Sequence, residues 1–180
     1  PNDYSNTRFD FLFVGSNSDP NVDGICWFLN NCWPLVTKKI PNATLLVQGA
    51  VTRNKEFIRA MSSQTKGTIF LSGFVDDLTQ IYERSRIVIC PIQYGTGMKI
   101  KVVEAMSHGK AIVATATALE GIEQSAINAN DSAQEFSSTC ISLLTDHVLH
   151  NDNRYSFYSV FQCRHTYDKF AWKFLNLISY

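Results

Sequence analysis

The sequence predicts a doubly wound α/β domain, in which helices cover both faces of a mostly parallel β-sheet. Short apolar runs typical of buried strands recur along the chain, and segments with apolar residues at helical spacing lie between them. Most of these runs end in glycine or a polar loop. Because a parallel strand needs a long crossover connection, alternating strands and helices build βαβ units with the helices on the faces of the sheet.

The first part of the chain contains two such strand–helix units. Residues 9–15 (FDFLFVG) form an apolar run that ends in glycine, and residues 20–39 carry apolar side chains near helical spacing. Pro41 ends that predicted helix, since proline cannot donate a backbone hydrogen bond. Residues 43–49 (ATLLVQG) are the second predicted strand, and a helical pattern follows at residues 55–62.

A short helix separates the third and fourth predicted strands. Residues 67–75 (GTIFLSGFV) and 86–92 (RIVICPI) are the strands, and residues 76–85 (DDLTQIYERS) are the helix. Asp76 or Asp77 is placed to cap it, because a carboxylate accepts hydrogen bonds from the free backbone N–H groups of a first helical turn.

The remaining units follow a glycine-rich loop. They are a helix over residues 98–108, a fifth strand over 110–116, a weak sixth strand over 125–128 and a helix over 132–144. Residues 151–180 are rich in aromatic side chains and lead into no further strand, which predicts one or two helices. We therefore expect a sheet domain at residues 1–150 and a helical tail at 151–180, with part of residues 157–180 exposing apolar surface or pairing with another copy.

Composition excludes several classes of protein. The 180-residue chain is 45% hydrophobic and 18% charged, as expected for a globular domain rather than a disordered chain. Sixteen Lys and Arg balance sixteen Asp and Glu, so no net positive field would attract nucleic acid. No apolar run approaches the ~20 residues of a transmembrane helix. Five scattered cysteines without a CxxC pair predict reduced thiols rather than a disulfide framework or a zinc site, and a cytoplasmic protein.

Ligands of doubly wound sheets bind at the carboxyl ends of the strands, near the point where the strand order reverses. The richest loop in that position is IQYGTGMKIK, residues 92–101. Gly95 and Gly97 leave backbone N–H groups accessible around Thr96, and the helix from about Met98 directs its positive end at the same space, as anion sites do.

Two lysines and a glutamate extend this predicted site. Lys99 and Lys101 lie within the expected first helical turn, where a cation opposes the helix dipole and a bound diphosphate would explain its presence. Glu104 follows and is placed to accept hydrogen bonds from sugar hydroxyls. Each feature also has a plain interpretation, namely an ordinary glycine turn, a solvated basic helix face and a surface ion pair. GxGxxG, GxxxxGK[ST] and GxSxG motifs are absent from the sequence, which weighs against dinucleotide oxidoreductases, P-loop NTPases and α/β-hydrolases.

The string GTGMKIKVVEAMSHGKAIVATATALEGI (residues 95–122) resembles the signature region of the group 1 retaining glycosyltransferases with the two-domain GT-B fold. The preceding strand–helix units and the Phe170–Trp172 segment follow the family's order. The resemblance covers nearly the whole chain, but it matches only the C-terminal, Rossmann-like half that binds the nucleotide-sugar donor. With Pro1 as its first residue, the chain is expected to be a piece of a longer protein.

The resemblance implies a role for each candidate residue. Lys99 and Lys101 would stabilise the diphosphate leaving group, and Glu104 would bind the donor ribose. The other donor-binding residues implied by the resemblance are Gly15, Gly73, Phe74, Val75, Gly95, Thr96, Gly97 and Met98. The family's first motif glutamate would fall at position 96, where this chain has threonine, and its two basic residues after the first strand are missing here.

The implied reaction is transfer of a sugar from a nucleoside diphosphate sugar to an acceptor hydroxyl, with retention and without a metal or other cofactor. A sugar or lipid-linked acceptor would bind through a missing N-terminal domain, which could also bring the protein to a membrane surface. Two alternatives remain open at this point. One is a degenerate, non-catalytic GT-B-like module kept for assembly, and the other is an enzyme of the nucleotide-sugar epimerase type.

Overall fold

The computed structural model describes residues 7–122 and 128–164 and contains a five-stranded, all-parallel sheet. The strands lie in the order β3-β2-β1-β4-β5, which confirms the predicted doubly wound α/β class. Their bounds are β1 Phe9–Val14, β2 Thr44–Gln48, β3 Thr68–Ser72, β4 Ser85–Cys90 and β5 Ala111–Ala114.

Seven α-helices connect and cover these strands within the described residues. They are α1 Asp19–Trp27, α2 Trp33–Lys39, α3 Lys55–Ser62, α4 Thr79–Glu83, α5 Ile100–Ser107, α6 Ala133–Thr145 and α7 His147–Arg164. The single helix predicted over residues 20–39 is α1 and α2 joined by a turn of π-helix at Phe28–Cys32. No helix in the described part of the chain is long and apolar enough to span a bilayer.

The strand order reverses beside β1. The chain runs from β1 outward to β2 and β3, then returns to pair β4 with the other edge of β1. Val14 lies opposite Gln48 in β2, and Leu12 lies opposite Val88 in β4. The loops that leave β1 and β4 therefore diverge from neighbouring strand ends, and this divergence opens a crevice.

The sheet is buried on both faces, as its apolar strands predict. Successive side chains alternate between the faces, so Phe11 and Phe13 pack with Trp33 and the α1–α2 layer, and Leu12 packs with Tyr82 on the opposite side. The crevice lies above the second of these layers at the start of α5, whose residues Val102, Ala105 and Met106 are buried in it.

Several predicted boundaries differ from the structure. Helix α4 begins at Thr79, and Asp77 Oδ1 accepts a hydrogen bond from the Thr79 backbone N–H at 2.8 Å, so one of the two expected aspartates does bond to this end of the helix. Helix α5 begins at Ile100 rather than near Met98. The weak sixth strand was expected at residues 125–128, of which 125–127 lie outside the described residues, and residue 128 is not in a strand.

The predicted tail contains one helix in its described part. Helix α7 packs against α5, α6 and β5, buries Phe157 and leaves Tyr155 68% exposed. It begins before residue 150, and the division of the chain at that point stays a prediction. The aromatic residues at 167–180, including the Phe170–Trp172 segment, lie outside the described residues.

Candidate functional site

A cavity of about 420 Å³ lies at the carboxyl ends of β1 and β4, where the topology predicts a site. It is formed by the loops after β1 and β4 and by the first turns of α1 and α5. Its lining residues are Val14, Gly15, Ser16, Ser18, Pro20, Asn21, Ile92, Tyr94, Gly95, Thr96, Met98, Lys99, Ile100, Lys101 and Glu104. The structure thus brings together seven of the eleven residues selected from the sequence.

Backbone conformation explains both glycines of the loop after β4. Gly95 has φ 104° and Gly97 has φ 81°, a region that side-chain-bearing residues rarely adopt. Lys99 then has an extended conformation (φ −88°, ψ 107°), which delays the start of α5 to Ile100. The loop therefore turns twice before the helix, and Thr96 and Met98 line the cavity.

Lys99 ties this loop together. Its Nζ donates to the backbone oxygens of Gly95 (2.9 Å) and Gly97 (2.7 Å) and lies 3.8 Å from Glu120 Oε2. An ammonium group has three N–H donors, so these three partners match its full capacity. The sequence predicted a side chain that faces a ligand, whereas in this structure Lys99 is directed at its own loop.

Lys101 occupies the interior of the crevice. Its Nζ lies 4.7 Å from the centre of the Phe13 ring and donates a hydrogen bond to Asn21 Oδ1. Among the residues that the structure describes, Lys101 has no carboxylate within ion-pair distance. Burial lowers the pKa of Lys101 from its ordinary value of 10.5, and the neighbouring charge of Lys99 acts in the same direction. The cavity wall thus contains a partly buried cation without a counter-ion in the described part of the chain.

Asn21 is fixed in place by the loop after β1. Its side-chain N–H groups donate to Ser16 Oγ (2.9 Å) and Ser18 Oγ (3.0 Å), which leaves Oδ1 to face Lys101. Sequence reasoning noted only that this loop lacks basic residues. The contact joins residues 80 positions apart in the chain, so only the fold could reveal it.

Glu104 is held by a buried tyrosine. Tyr82 Oη donates to Glu104 Oε2 at 3.3 Å, and the Tyr82 ring, 1% exposed, stacks on His108 at 4.5 Å between centroids. Burial and the adjacent Glu104 charge both raise the pKa of Tyr82 well above its usual range, so it remains a donor at all ordinary pH values. In the sequence Tyr82 was one residue of a predicted short helix, with no signal of its link to the site.

Gly15 lines the cavity at a point where the ends of β1 and β2 approach each other closely. A Cβ at Gly49 would lie 2.4 Å from the Gly15 carbonyl oxygen, and Gly49 has φ 106°. Only glycine fits this position after β2 without a backbone shift. The Gly15 oxygen accepts a hydrogen bond from the Val51 N–H at 3.2 Å, which links the ends of β1 and β2.

The loop after β3 stands apart from this cavity. Gly73, Phe74 and Val75 are not among its lining residues, and neither is Gly97. Phe74 is 78% exposed, and the Gly73 carbonyl oxygen accepts a hydrogen bond from the Gln48 side-chain N–H. The residues after β3 form an open rim at the ends of β2 and β3 rather than part of the cavity wall.

Three solved structures share this fold at low sequence identity. A point mutant of Staphylococcus aureus TarM, in complex with fondaparinux, alpha-GlcNAc-glycerol and UDP, has a TM-score of 0.73 and 17% identity, covering 94% of this chain and 36% of TarM. Anabaena Alr3699/HepE, in complex with UDP and glucose, has a TM-score of 0.73 and 14% identity, covering 98% and 49%. The C-terminal domain of a group 1 family glycosyl transferase (LpcC) from Francisella tularensis has a TM-score of 0.63 and 18% identity, covering 88% and 87%.

A sequence relative and a family model connect the chain to the same group. The relative is an uncharacterized 44.6 kDa protein in the cps region of Klebsiella pneumoniae, 33% identical over 115 residues, which are 61% of this chain and 30% of that protein. The chain thus spans less than half of this relative, of TarM and of HepE. The model of glycosyl transferases group 1 matches residues 8–146. The chain therefore belongs to the group 1 glycosyl transferases.

Proposed function

We propose that this chain is the donor-binding domain of a glycosyltransferase that moves a sugar from a nucleoside diphosphate sugar to an acceptor hydroxyl, in polysaccharide or glycoconjugate synthesis. Family membership supports the reaction class. The complexes of TarM with UDP and of HepE with UDP and glucose support a nucleotide-sugar donor as the ligand of this fold.

The single observation that carries the proposal is the state of Lys101. It is a partly buried cation, it has no ion-pair partner among the described residues, and it lies in the first turn of α5, where the helix dipole disfavours positive charge. An anion in the cavity would relieve both costs. A diphosphate would also accept hydrogen bonds from the backbone N–H groups of the glycine turns and the helix start.

Each candidate residue then has a role in the proposed complex. Lys101 binds the diphosphate and stabilises the charge that develops on it as the glycosidic bond breaks. Lys99 holds the Gly95–Gly97 loop in shape and adds positive potential. Glu104, oriented by Tyr82, accepts hydrogen bonds from the ribose hydroxyls.

The remaining parts of the proposal concern the base, the acceptor and the stereochemistry. The base lies towards the rim formed by Gly73, Phe74 and Val75, where Phe74 offers an exposed ring for stacking. Fixed positive groups neutralise the leaving group in this proposal, so the reaction needs no metal. Retention of configuration is proposed on the family resemblance alone. The acceptor binds to an N-terminal domain outside this chain.

Calorimetric titration of the chain with UDP, GDP, ADP and dTDP tests the proposal. We expect one of them to bind and Lys101→Met to weaken that binding by about tenfold or more, since a hydrogen bond to a charged group contributes about 1.5–3 kcal/mol. Glu104→Ala should weaken nucleotide binding but leave inorganic pyrophosphate unaffected. Lys39→Met, on the exposed end of α2, is the matched control and should change nothing.

Failure of all four nucleotides to bind would contradict the donor-domain function and favour a non-catalytic module. Binding that is equally strong in wild type and Lys101→Met would remove Lys101 from the diphosphate site.

A further inference from the structure

Glu120, in the loop after β5, is not a lining residue of the cavity, but its carboxylate lies close to one that is. Glu120 Oε2 is 3.8 Å from Lys99 Nζ, and Lys99 is one of the residues that line the cavity wall. The Lys99 side chain is only 15% exposed, whereas that of Glu120 is 52% exposed. The pair thus has an inner cation, already engaged with its own loop, and an outer carboxylate that solvent or a ligand can reach.

The loop that carries Glu120 is fixed against the loop after β4. Gly121 has φ 78°, and a Cβ placed there would lie 3.3 Å from Met98 Cβ. Thr117 Oγ1 donates to the Gln93 carbonyl oxygen at 3.3 Å, which joins the two loops. Within the loop after β5, the Ile122 N–H donates to the Leu119 carbonyl oxygen at 2.9 Å. The backbone on both sides of Glu120 is therefore held in place, and Lys99 is the described partner that orients its carboxylate.

We propose that Glu120 is a specificity-determining residue of this cleft, whose carboxylate accepts hydrogen bonds from the hydroxyl groups of the sugar part of the donor. The inference rests on the proposed function. An ionised carboxylate is an acceptor with about four lone-pair sites. Among the described residues, Lys99 is the ion-pair partner of Glu120, through Oε2. No described residue donates a hydrogen bond to the other oxygen, Oε1.

The charges of the cleft indicate which part of the donor lies near each group. A diphosphate is attracted to Lys101 and repelled by Glu120, whereas a neutral sugar has several hydroxyl donors that match a carboxylate. Lys101 and Glu120 therefore favour different parts of the donor, the diphosphate at Lys101 and the sugar at Glu120. In this arrangement Glu120 contributes to the choice of sugar and little to the affinity for the nucleotide alone.

The test compares a nucleotide with its own sugar derivatives. The 180-residue chain is titrated with the nucleoside diphosphate that it binds in the preceding experiment and with the glucose, galactose and N-acetylglucosamine derivatives of that nucleotide. The variants are Glu120→Gln, which keeps size and removes the charge, and Glu120→Asp, which keeps the charge and shortens the side chain. Glu83→Gln, exposed at the end of α4, is the matched control.

The expected result concerns the ratio of the Kd of the nucleotide to the Kd of its preferred sugar derivative. Glu120→Gln lowers this ratio about fivefold to tenfold, as expected when a charged acceptor is replaced by a neutral one, while the Kd of the nucleotide changes by less than about twofold. Glu120→Asp lowers the ratio by an intermediate amount, and Glu83→Gln has no effect.

Three results would overturn the inference. One is an unchanged ratio in Glu120→Gln, the second is equal weakening of nucleotide and nucleotide sugar, and the third is a wild-type chain that binds no sugar derivative more tightly than the nucleotide. In all three cases the donor-domain function would stand, because the nucleotide still binds. If the donor-domain proposal itself were wrong, the wild-type chain would bind no nucleotide.

Discussion

Lys99 and Lys101 are two residues apart, but their ammonium groups have different surroundings. Lys99 Nζ has three partners from two loops, whereas Lys101 Nζ has one amide oxygen and an aromatic ring. Lys99 has extended backbone and Lys101 has helical backbone, so the two side chains leave the chain in different directions. The two lysines therefore have different roles: Lys99 holds the loop, and Lys101 faces the cavity.

The depressed pKa of Lys101 predicts a pH-dependent affinity. A bound anion favours the charged ammonium, so affinity for the nucleotide should be lost as pH rises through the folded-state pKa, which burial places below the ordinary 10.5. Lys101→Arg stays charged across this range and should retain its affinity. The ratio of wild-type to Lys101→Arg affinity, measured calorimetrically from pH 7 upward, cancels titration of the ligand itself. A ratio that does not fall before pH 10.5 would contradict the prediction.

The shape of the crevice depends on where the strands end and the helices begin. Two left-handed glycines and one extended lysine separate β4 from α5, so the helix starts two residues later than its apolar pattern suggests. Tyr82 of α4 and Glu104 of α5 meet because both helices cover the same face of the sheet. Asn21 in the first turn of α1 reaches Lys101 in the first turn of α5, because the loops that precede these helices leave the neighbouring strands β1 and β4.

Substitution in the glycine loop should destabilise it through the backbone alone. Gly97 has φ 81° and open space around a hypothetical Cβ, so the cost of Gly97→Ala is conformational, about 1–2 kcal/mol in the free energy of unfolding. Gly73→Ala is the matched control, because Gly73 is equally open and has no left-handed φ. Urea denaturation of both variants checks the difference. Equal stability of the two would show that the loop adjusts without strain.

Attachment of α7 to the domain should weaken at acidic pH. His150 is 1% exposed, its Nδ1 lies 3.0 Å from the Leu143 carbonyl oxygen, and burial lowers its pKa to about 4. A histidine whose folded pKa lies below its unfolded value stabilises the fold at pH above the unfolded value of 6.5, and this contribution is lost as pH falls towards 4. The free energy of unfolding falls by ~3 kcal/mol when this contribution is fully lost.

Comparison with a variant isolates this histidine from other titrating groups. His150→Gln does not titrate, so the wild type should lose stability relative to it between about pH 7 and pH 4.5 in urea denaturation. A constant difference between the two proteins over this interval would exclude the effect.

The described fold has two buried layers around one parallel sheet and a crevice where the strand order reverses. The chain spans 36% of TarM and 49% of HepE, and under the proposed function the acceptor binds to a further domain.

We therefore expect the 180-residue chain to bind a nucleotide sugar but to turn over little or none of it. Release of the nucleoside diphosphate from the bound nucleotide sugar, with the Lys101→Met variant as the blank, measures turnover without knowledge of the acceptor. Release clearly above the blank would contradict the expectation and show that catalysis needs no further domain.

Local sequence determined the fold class of this protein and the order of its five strands through hydrophobic patterning, and the position of its richest loop through glycine and lysine residues. These features depend on local sequence, because buried parallel strands need continuous apolar runs and tight turns need glycine. Tertiary structure decided what each polar side chain contacts. Asn21 with Lys101, Tyr82 with Glu104 and Lys99 with Glu120 are pairs brought together by chain reversal and sheet order, and neither spacing nor composition records such contacts.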